Sequence, residues 1–143
     1  MTKIVIDEEA TKRSLNEALQ GIALDIQESL KSKLTKEHGK DTGDLQANIH
    51  AKVVGDTTIE ISMPEHGLYV EFGTPPHMPP VEALTGWVRR KWGAKDKKEE
   101  LQKAWALAMA IKKRGTRPYP FIRPTFEHEV TPIIRTNLKQ AFD

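Results

Sequence analysis

The chain has 143 residues, of which 38% are hydrophobic and 29% are charged, and it contains no cysteine. This length is typical of one domain with a core of its own, and the absence of cysteine excludes disulfides and thiolate metal sites. The sequence shows neither an apolar run near the roughly 18 residues of a membrane span nor a signal peptide at its start, so we expect a protein without a membrane partner that is made in a cytoplasm.

The first part of the chain predicts a long helix. Residues 3 to 6 can form a short strand or an extended arm, and Asp7 is a suitable N-cap for the helix that follows. Apolar residues then recur every three or four positions, at Leu15, Leu19, Ile22, Ile26, Leu30 and Leu34. This pattern indicates an amphipathic helix that ends at His38, before a glycine. Its apolar face could meet a partner helix, but the strands predicted next favour packing against the chain's own sheet.

A small antiparallel sheet is predicted after a loop at residues 41 to 45, in which Thr42 caps a short turn. Apolar and polar residues alternate over three stretches, at residues 49 to 53, 59 to 63 and 68 to 72. Alternation of this kind is typical of strands with one buried face. Gly55 and Asp56 supply a hairpin turn between the first two strands, so the three stretches predict a meander that the long helix covers.

Two amphipathic helices are expected over residues 81 to 92 and 101 to 114, and the first begins directly after Pro80. All three tryptophans of the chain, Trp87, Trp92 and Trp105, lie in this segment. The two helices therefore predict a helical hairpin, inserted between two proline-rich stretches, with a small core or an adhesive face.

The C-terminal part should begin extended and end helical. Residues 118 to 123 are expected to be extended, because residues that precede proline avoid the helical conformation. Apolar residues at every fourth position from Phe126 to Phe142 then predict a terminal helix. Pro132 lies inside this pattern and should either kink the helix or mark a restart that Thr131 caps.

Two stretches share an arrangement of glycine, threonine and proline. In residues 69 to 80 a predicted strand stops at a Gly-Thr pair that leads into four prolines, and residues 114 to 124 repeat the Gly-Thr pair and the spaced prolines. Stiff loops lose little entropy on docking. We therefore predict intersubunit contacts at Gly73, Thr74, Pro75, Pro76, Met78, Pro79, Pro80, Arg117 and Tyr119.

The same stretches contain candidate structural anchors, namely Tyr69, Glu71, Phe72, Phe121 and Arg123. Phe121 is a single large side chain that must hold a segment interrupted by prolines, so we expect it in the core. Glu71 lies in the predicted buried strand, where an arginine such as Arg123 is its expected partner. Such a pair would join the two stretches.

Three groups of residues resemble the head–tail joining, or tail-completion, proteins of long-tailed double-stranded DNA phages, which include neck and minor tail proteins. The matching residues are Thr42, Gly43 and Leu45, then residues 69 to 74, then residues 120 to 124. The resemblance implies a virion protein of the head–tail junction or tail top, assembled in the host cytoplasm as a ring of identical subunits, with six expected. Its implied partners are itself and neighbouring neck and tail proteins. Shorter members lack most of residues 81 to 113, so the resemblance assigns no function to that segment.

Charge is distributed unevenly along the chain, whose net charge is +2. Residues 86 to 117 contain eleven basic and three acidic residues, whereas the remainder contains eleven basic and seventeen acidic residues. The basic segment can face packaged DNA through nonspecific phosphate contacts, dock an acidic neighbour, or form a solvated helical surface. The residues assigned to DNA or a partner are Arg89, Arg90, Lys91, Lys112, Lys113 and Arg114.

No catalytic or cofactor motif is apparent in the sequence. His66 and His77 flank Glu71, but the chain has no histidine spacing of the kind that binds zinc on a helix. Glu71 could act as a general base, although pairing with an arginine is the better interpretation. Nucleophile elbow, P-loop and dinucleotide-binding patterns are absent. We therefore expect a protein without enzymatic activity, metal or cofactor.

Together the patterns predict an α+β fold, in which a long N-terminal helix packs on a small antiparallel sheet and is followed by an inserted helical hairpin and a C-terminal helix. We expect a single domain over residues 1 to 143, with the helical insert at about residues 81 to 113. The predicted function is that of a structural ring subunit. The alternative is a free, nonspecific nucleic-acid-binding protein that uses the basic helical pair, which a steep salt dependence of DNA binding would reveal.

Overall fold

The computed structural model describes residues 2 to 38 and 43 to 143. Its elements, in chain order, are α1 (Glu8–His38), α2 (Gly43–Ala47), β1 (His50–Val54), β2 (Thr58–Ser62), α3 (His66–Phe72), α4 (Val81–Lys91), α5 (Lys97–Arg114), α6 (Ile122–His128) and α7 (Val130–Ala141). The predicted α+β class, with a long N-terminal helix, an antiparallel sheet and a C-terminal helix, is confirmed. The chain divides into two compact units: the flanking unit, Met1–Pro64 with Phe121–Asp143, and the inserted unit, Glu65–Pro120.

Helix α1 organises the flanking unit. It begins as predicted, since the Asp7 carboxylate accepts a hydrogen bond from the backbone N–H of Ala10 at 3.1 Å. Four residues of its predicted apolar stripe, Ile22, Ile26, Leu30 and Leu34, are buried. The stripe packs within the chain's own fold, because α1 contacts the β1–β2 hairpin, α2, α6 and α7. The predicted cap at Thr42 lies outside the described residues.

Strands β1 and β2 form the predicted antiparallel hairpin, with Ala51 opposite Ile61 and Val53 opposite Ile59. These four side chains are half-buried and alternate with exposed neighbours, as a sheet with one covered face requires. The hairpin is fixed to α1 by a hydrogen bond that the backbone N–H of Ala51 donates to Oε1 of Gln27 at 2.8 Å.

The predicted third strand is wrong, because the segment around residues 68 to 72 forms helix α3. The described sheet has two strands. A strand of five residues needs a partner for its backbone, whereas a helical turn satisfies its hydrogen bonds locally, and alternation over so short a run does not distinguish the two. Two proposed anchors are consequently at the surface: Tyr69 is 54% and Phe72 is 66% exposed.

The C-terminal segment also differs from its prediction. Helix α6 begins at Ile122, so the extended conformation expected through residue 123 ends earlier. The helical conformation is interrupted between α6 and α7 at Glu129. Glu129 is the N-cap residue of α7, in place of the predicted Thr131. Pro124 and Pro132 each occupy the third position of their helix. Proline is tolerated there because the first turn needs no N–H donor for intrahelical bonds.

Helices α4 and α5 form the predicted helical hairpin of the inserted unit. Its core consists of small side chains, namely Val81, Val88, Ala104 and Ala108, with Leu84, Trp87 and Leu107 packed against them. Trp87 and Trp92 meet edge to face, with ring centroids 5.2 Å apart. Asp96 caps α5 by accepting a hydrogen bond from the backbone N–H of Glu99 at 2.9 Å.

Residues 2 to 6 precede α1 without forming a helix or a strand. Of the two conformations expected for this segment, a short strand and an arm, the structure therefore shows the arm. Its apolar side chains are among the most exposed of the described chain, at 90% for Ile4, 86% for Val5 and 78% for Ile6.

Candidate functional site

The two Gly-Thr pairs identified in the sequence lie against each other in the inserted unit. Thr74 and Thr116 form an isolated antiparallel bridge. The backbone N–H of Thr116 donates to the carbonyl oxygen of Thr74 at 3.0 Å, and that of Thr74 donates to the carbonyl oxygen of Thr116 at 3.3 Å. The two hydroxyl oxygens are 2.8 Å apart. We name the four residues Gly73, Thr74, Gly115 and Thr116 the Gly-Thr clamp.

Both glycines of the clamp are required by geometry. Gly73 and Gly115 have φ values of 69° and 73°, in the left-handed region that favours glycine. A Cβ atom on Gly73 would lie 2.5 Å from the carbonyl oxygen of Thr116, and one on Gly115 would overlap that of Thr74. Each glycine therefore ends a helix, α3 or α5, and at the same time permits close approach of the opposite chain segment.

Each loop of the clamp also caps the helix on the other side. Three residues beyond Thr116, the backbone N–H of Tyr119 donates to the carbonyl oxygen of Val70 in α3 at 2.7 Å. Three residues beyond Thr74, the backbone N–H of His77 lies 3.4 Å from the carbonyl oxygen of Ile111 in α5. The Val70 carbonyl is one of the last carbonyls of α3, which have no partner within the helix, whereas the Ile111 carbonyl also accepts from the backbone N–H of Gly115 at 2.7 Å. The two hydrogen bonds fix both proline segments relative to α3 and α5.

Most of the residues predicted to make intersubunit contacts are accessible. Pro75, Pro76, Met78, Pro80, Arg117 and Tyr119 are exposed, whereas Gly73 and Thr74 are half-buried in the clamp. Pro79 is buried, so little of its surface is accessible for the predicted contact. Of the predicted anchors, Phe121 and Glu71 are buried and Arg123 is exposed. The pairing of Glu71 with Arg123 stays a prediction.

Exposed apolar side chains accompany the clamp in the inserted unit, and of these the sequence had pointed to Phe72, as an anchor, and to Trp105, in the helical hairpin. Leu68 lies one turn before Phe72 in α3, and both are exposed. A second set, Leu101, Trp105 and Met109, recurs every four residues along α5. The four-residue spacing of this second set is visible in the sequence, but periodicity alone does not show which of two faces of a helix is buried.

The six predicted DNA- or partner-facing residues occupy two places. Helices α4 and α5 are antiparallel, because Arg89 near the end of α4 meets Glu100 near the start of α5, and His77 before α4 meets Ile111 near the end of α5. Arg89, Arg90 and Lys91 therefore form one basic cluster in the last turn of α4. Lys112, Lys113 and Arg114 form the other in the last turn of α5, at the opposite end of the hairpin. Basic residues in a last turn also stabilise the helix through its dipole.

Arg89 is engaged by its own chain. Its Nη2 donates to Oε1 of Glu100 at 2.8 Å and its Nε to Oε2 at 3.3 Å, a bidentate pair. The hydrogen bond from Arg89 lowers the pKa of the Glu100 carboxyl, and the bond to Glu100 raises the pKa of Arg89. A guanidinium held in this way ties α4 to α5 and is less available for a phosphate.

The histidines do not form a metal site in the described part of the chain, where no group of three or more histidine, aspartate or glutamate side chains could hold an ion. Nδ1 of His77 lies 2.9 Å from the carbonyl oxygen of Pro75, so this histidine braces the proline loop. Among the described helices, none has the length and apolar character needed to cross a membrane.

Comparisons with protein-family models, with curated proteins and with solved structures found no match to this chain.

Proposed function

We propose that this protein is a structural subunit of a phage head–tail junction or tail top, where identical copies, six in the expected ring, complete the tail or join it to the head. The proposal extends the resemblance noted in the sequence. The observation that carries it is the Gly-Thr clamp, in which Thr74, the last residue of the second matching group, is hydrogen-bonded to Thr116, which lies four residues before the third matching group.

A clamp of this kind suits a contact surface. It holds two proline segments in fixed positions, so little conformational entropy remains to be lost on docking. Pro75, Pro76, Met78 and Tyr119 are exposed on these segments. Apolar and aromatic side chains on a stiff framework are the typical anchors of protein interfaces. These features support assembly with other subunits as the task of the inserted unit.

The test replaces exposed prolines of the first loop. In a variant with Pro75→Ser and Pro76→Ser the loop regains conformational freedom, so we expect weaker self-association in sedimentation velocity with unchanged circular dichroism. Pro132→Ser is the matched control, since it alters an exposed proline of α7, outside the clamp. An oligomer that is equally stable in all three proteins would contradict the proposed role of the loop.

The alternative function, nonspecific binding of nucleic acid, is favoured by the exposed cluster Lys112, Lys113 and Arg114. The separation of the basic residues into two clusters and the engagement of Arg89 by Glu100 weigh against one continuous phosphate-binding surface. A salt titration of duplex DNA binding distinguishes the functions. A steep fall of affinity with salt supports the alternative, because its slope counts the phosphates contacted.

A further inference from the structure

The arm, residues 2 to 6 before α1, is rich in residues that favour strands, but it is not paired with a strand in the described part of the chain. Ile4, Val5 and Ile6 are β-branched, a class of residue that favours strands. They are 78–90% exposed, and residues 2 to 6 belong to no helix or strand. Three adjacent exposed residues of this kind are a segment suited to pairing with a sheet edge.

Strand β2 has an edge that can receive such a segment. Since the backbone N–H of Ala51 points away from β2 to Gln27, the pair Ala51–Ile61 is one of the non-hydrogen-bonded pairs of the hairpin. The N–H and C=O groups of Ile61, and of Ile59 two residues before it, therefore point outward from the other side of the hairpin. The described sheet has no third strand on this edge.

The arm cannot reach the full length of that edge in its own chain. Ile61 is opposite Ala51, which is bonded to Gln27, and Gln27 lies twenty residues beyond Asp7 along α1. This distance is about 30 Å along a helix. Residues 2 to 6 extend at most about 17 Å. Pairing of this edge along its full length therefore requires an arm from a second molecule.

We propose that the arm of one copy adds antiparallel to β2 of a second copy as a third strand. The inference deepens the proposed function, since it rests on self-association and names the segment that exchanges. Residues 2 to 6 are enough to span the edge, because β2 has five residues. Antiparallel addition also matches the existing hairpin and is the more common pairing.

One register satisfies both backbone and side chains. Placing Ile4 opposite Ile61 and Ile6 opposite Ile59 directs the arm's backbone groups at the outward N–H and C=O groups of β2. It also places two isoleucines of the arm on the face where Ile59 and Ile61 lie half-buried. Lys3 and Val5 then fall on the solvent face, beside Glu60. A shift by one residue would place the isoleucines in water.

The chain contains no cysteine, so introduced thiols report this contact without background. One preparation carries Ile4→Cys, and a second, enlarged by a fusion tag, carries Ile61→Cys. Opposed residues of paired strands have Cβ atoms about 4.5–5.5 Å apart, within reach of a disulfide after small adjustment. After mixing and mild oxidation, we expect a reducible species with the summed mass of the two chains.

The matched control pairs Lys3→Cys with the same tagged Ile61→Cys protein. Its thiols lie on opposite faces of the proposed three-stranded sheet, so little mixed species should form. Equal yields from Ile4→Cys and Lys3→Cys, or no mixed species from either, would overturn the arm exchange. If the wild type still self-associates in sedimentation velocity, the proposed assembly survives that result. If the wild type is monomeric at every concentration and no mixed species forms, both proposals fail.

Discussion

The two units of this protein are stabilised in different ways. The flanking unit buries large side chains, among them Leu30 and Leu34 of α1 and Phe121. The buried cluster of the inserted unit consists of two valines and two alanines, with larger side chains only partly buried around it, while Trp92 and Trp105 remain about half exposed. Burial of large apolar side chains dominates folding stability. The comparison therefore indicates that the flanking unit is the stable framework, and that hydrogen bonds and glycine geometry define the inserted unit.

The largest expected effect is on the framework. Phe121 is fully buried, so Phe121→Ala should lower the free energy of unfolding by about 3–5 kcal/mol, through lost burial and the cavity it leaves. Denaturant titration followed by circular dichroism measures the change. Phe126→Ala is the control, since Phe126 is 48% exposed. A loss below about 1 kcal/mol for Phe121→Ala would contradict the assignment of Phe121 as the anchor.

The next effect concerns the clamp. Gly115→Ala forces an alanine into a backbone conformation with φ of 73° and ψ of −163°, which essentially only glycine adopts, at about 1–3 kcal/mol, and also drives its Cβ into the carbonyl of Thr74. Gly93→Ala also places an alanine at a positive φ, 70°, but its Cβ would meet nothing within 4 Å. We expect the Gly115 variant to lose clearly more stability, measured by hydrogen exchange of the inserted unit. Equal losses would mean that the close approach in the clamp contributes nothing.

A smaller, pH-dependent effect is expected where α4 meets α5. Hydrogen bonding to Arg89 lowers the pKa of Glu100 in the folded protein, so its ionised form stabilises the fold. This contribution is complete above the ordinary glutamate pKa and is lost as the pH falls through the lowered folded value. Glu100→Gln should therefore lower Tm at pH 7 and have little effect at strongly acidic pH. Glu82→Gln, on an exposed residue of α4, is the control; a difference that persists unchanged in acid would contradict the pairing.

The smallest effect on stability should come from the basic cluster at the end of α5. Reversing Lys112, Lys113 and Arg114 to glutamate alters exposed side chains, and each such change typically shifts the free energy of unfolding by within about 0.5 kcal/mol. If the cluster faces DNA or an acidic neighbour, particle joining or DNA delivery should fall sharply. Reversal of Arg13, Arg135 and Lys139, which are exposed on the flanking unit, matches the charge change. Full infectivity with the reversed cluster would count against this orientation.

The sequence could predict elements that depend on local interactions, but not contacts between residues far apart in the chain. The apolar stripe of α1 and the β1–β2 hairpin were predictable, because repeats of three to four or two residues, and a Gly-Asp turn, are local signals. Helix α3 was missed because a five-residue alternation, with Leu68 and Phe72 taken as buried, does not exclude a helix. The clamp joins residues 42 positions apart. Its two halves could be recognised in the sequence, but their contact could not.

The proposed function requires that this protein is part of a larger assembly. The most direct measurement is electron microscopy of phage particles assembled with this chain carrying a gold-binding tag after Asp143. We expect label at the junction between head and tail or at the top of the tail, arranged around the axis. Particles without label, or label distributed over the head or at the distal end of the tail, would contradict it.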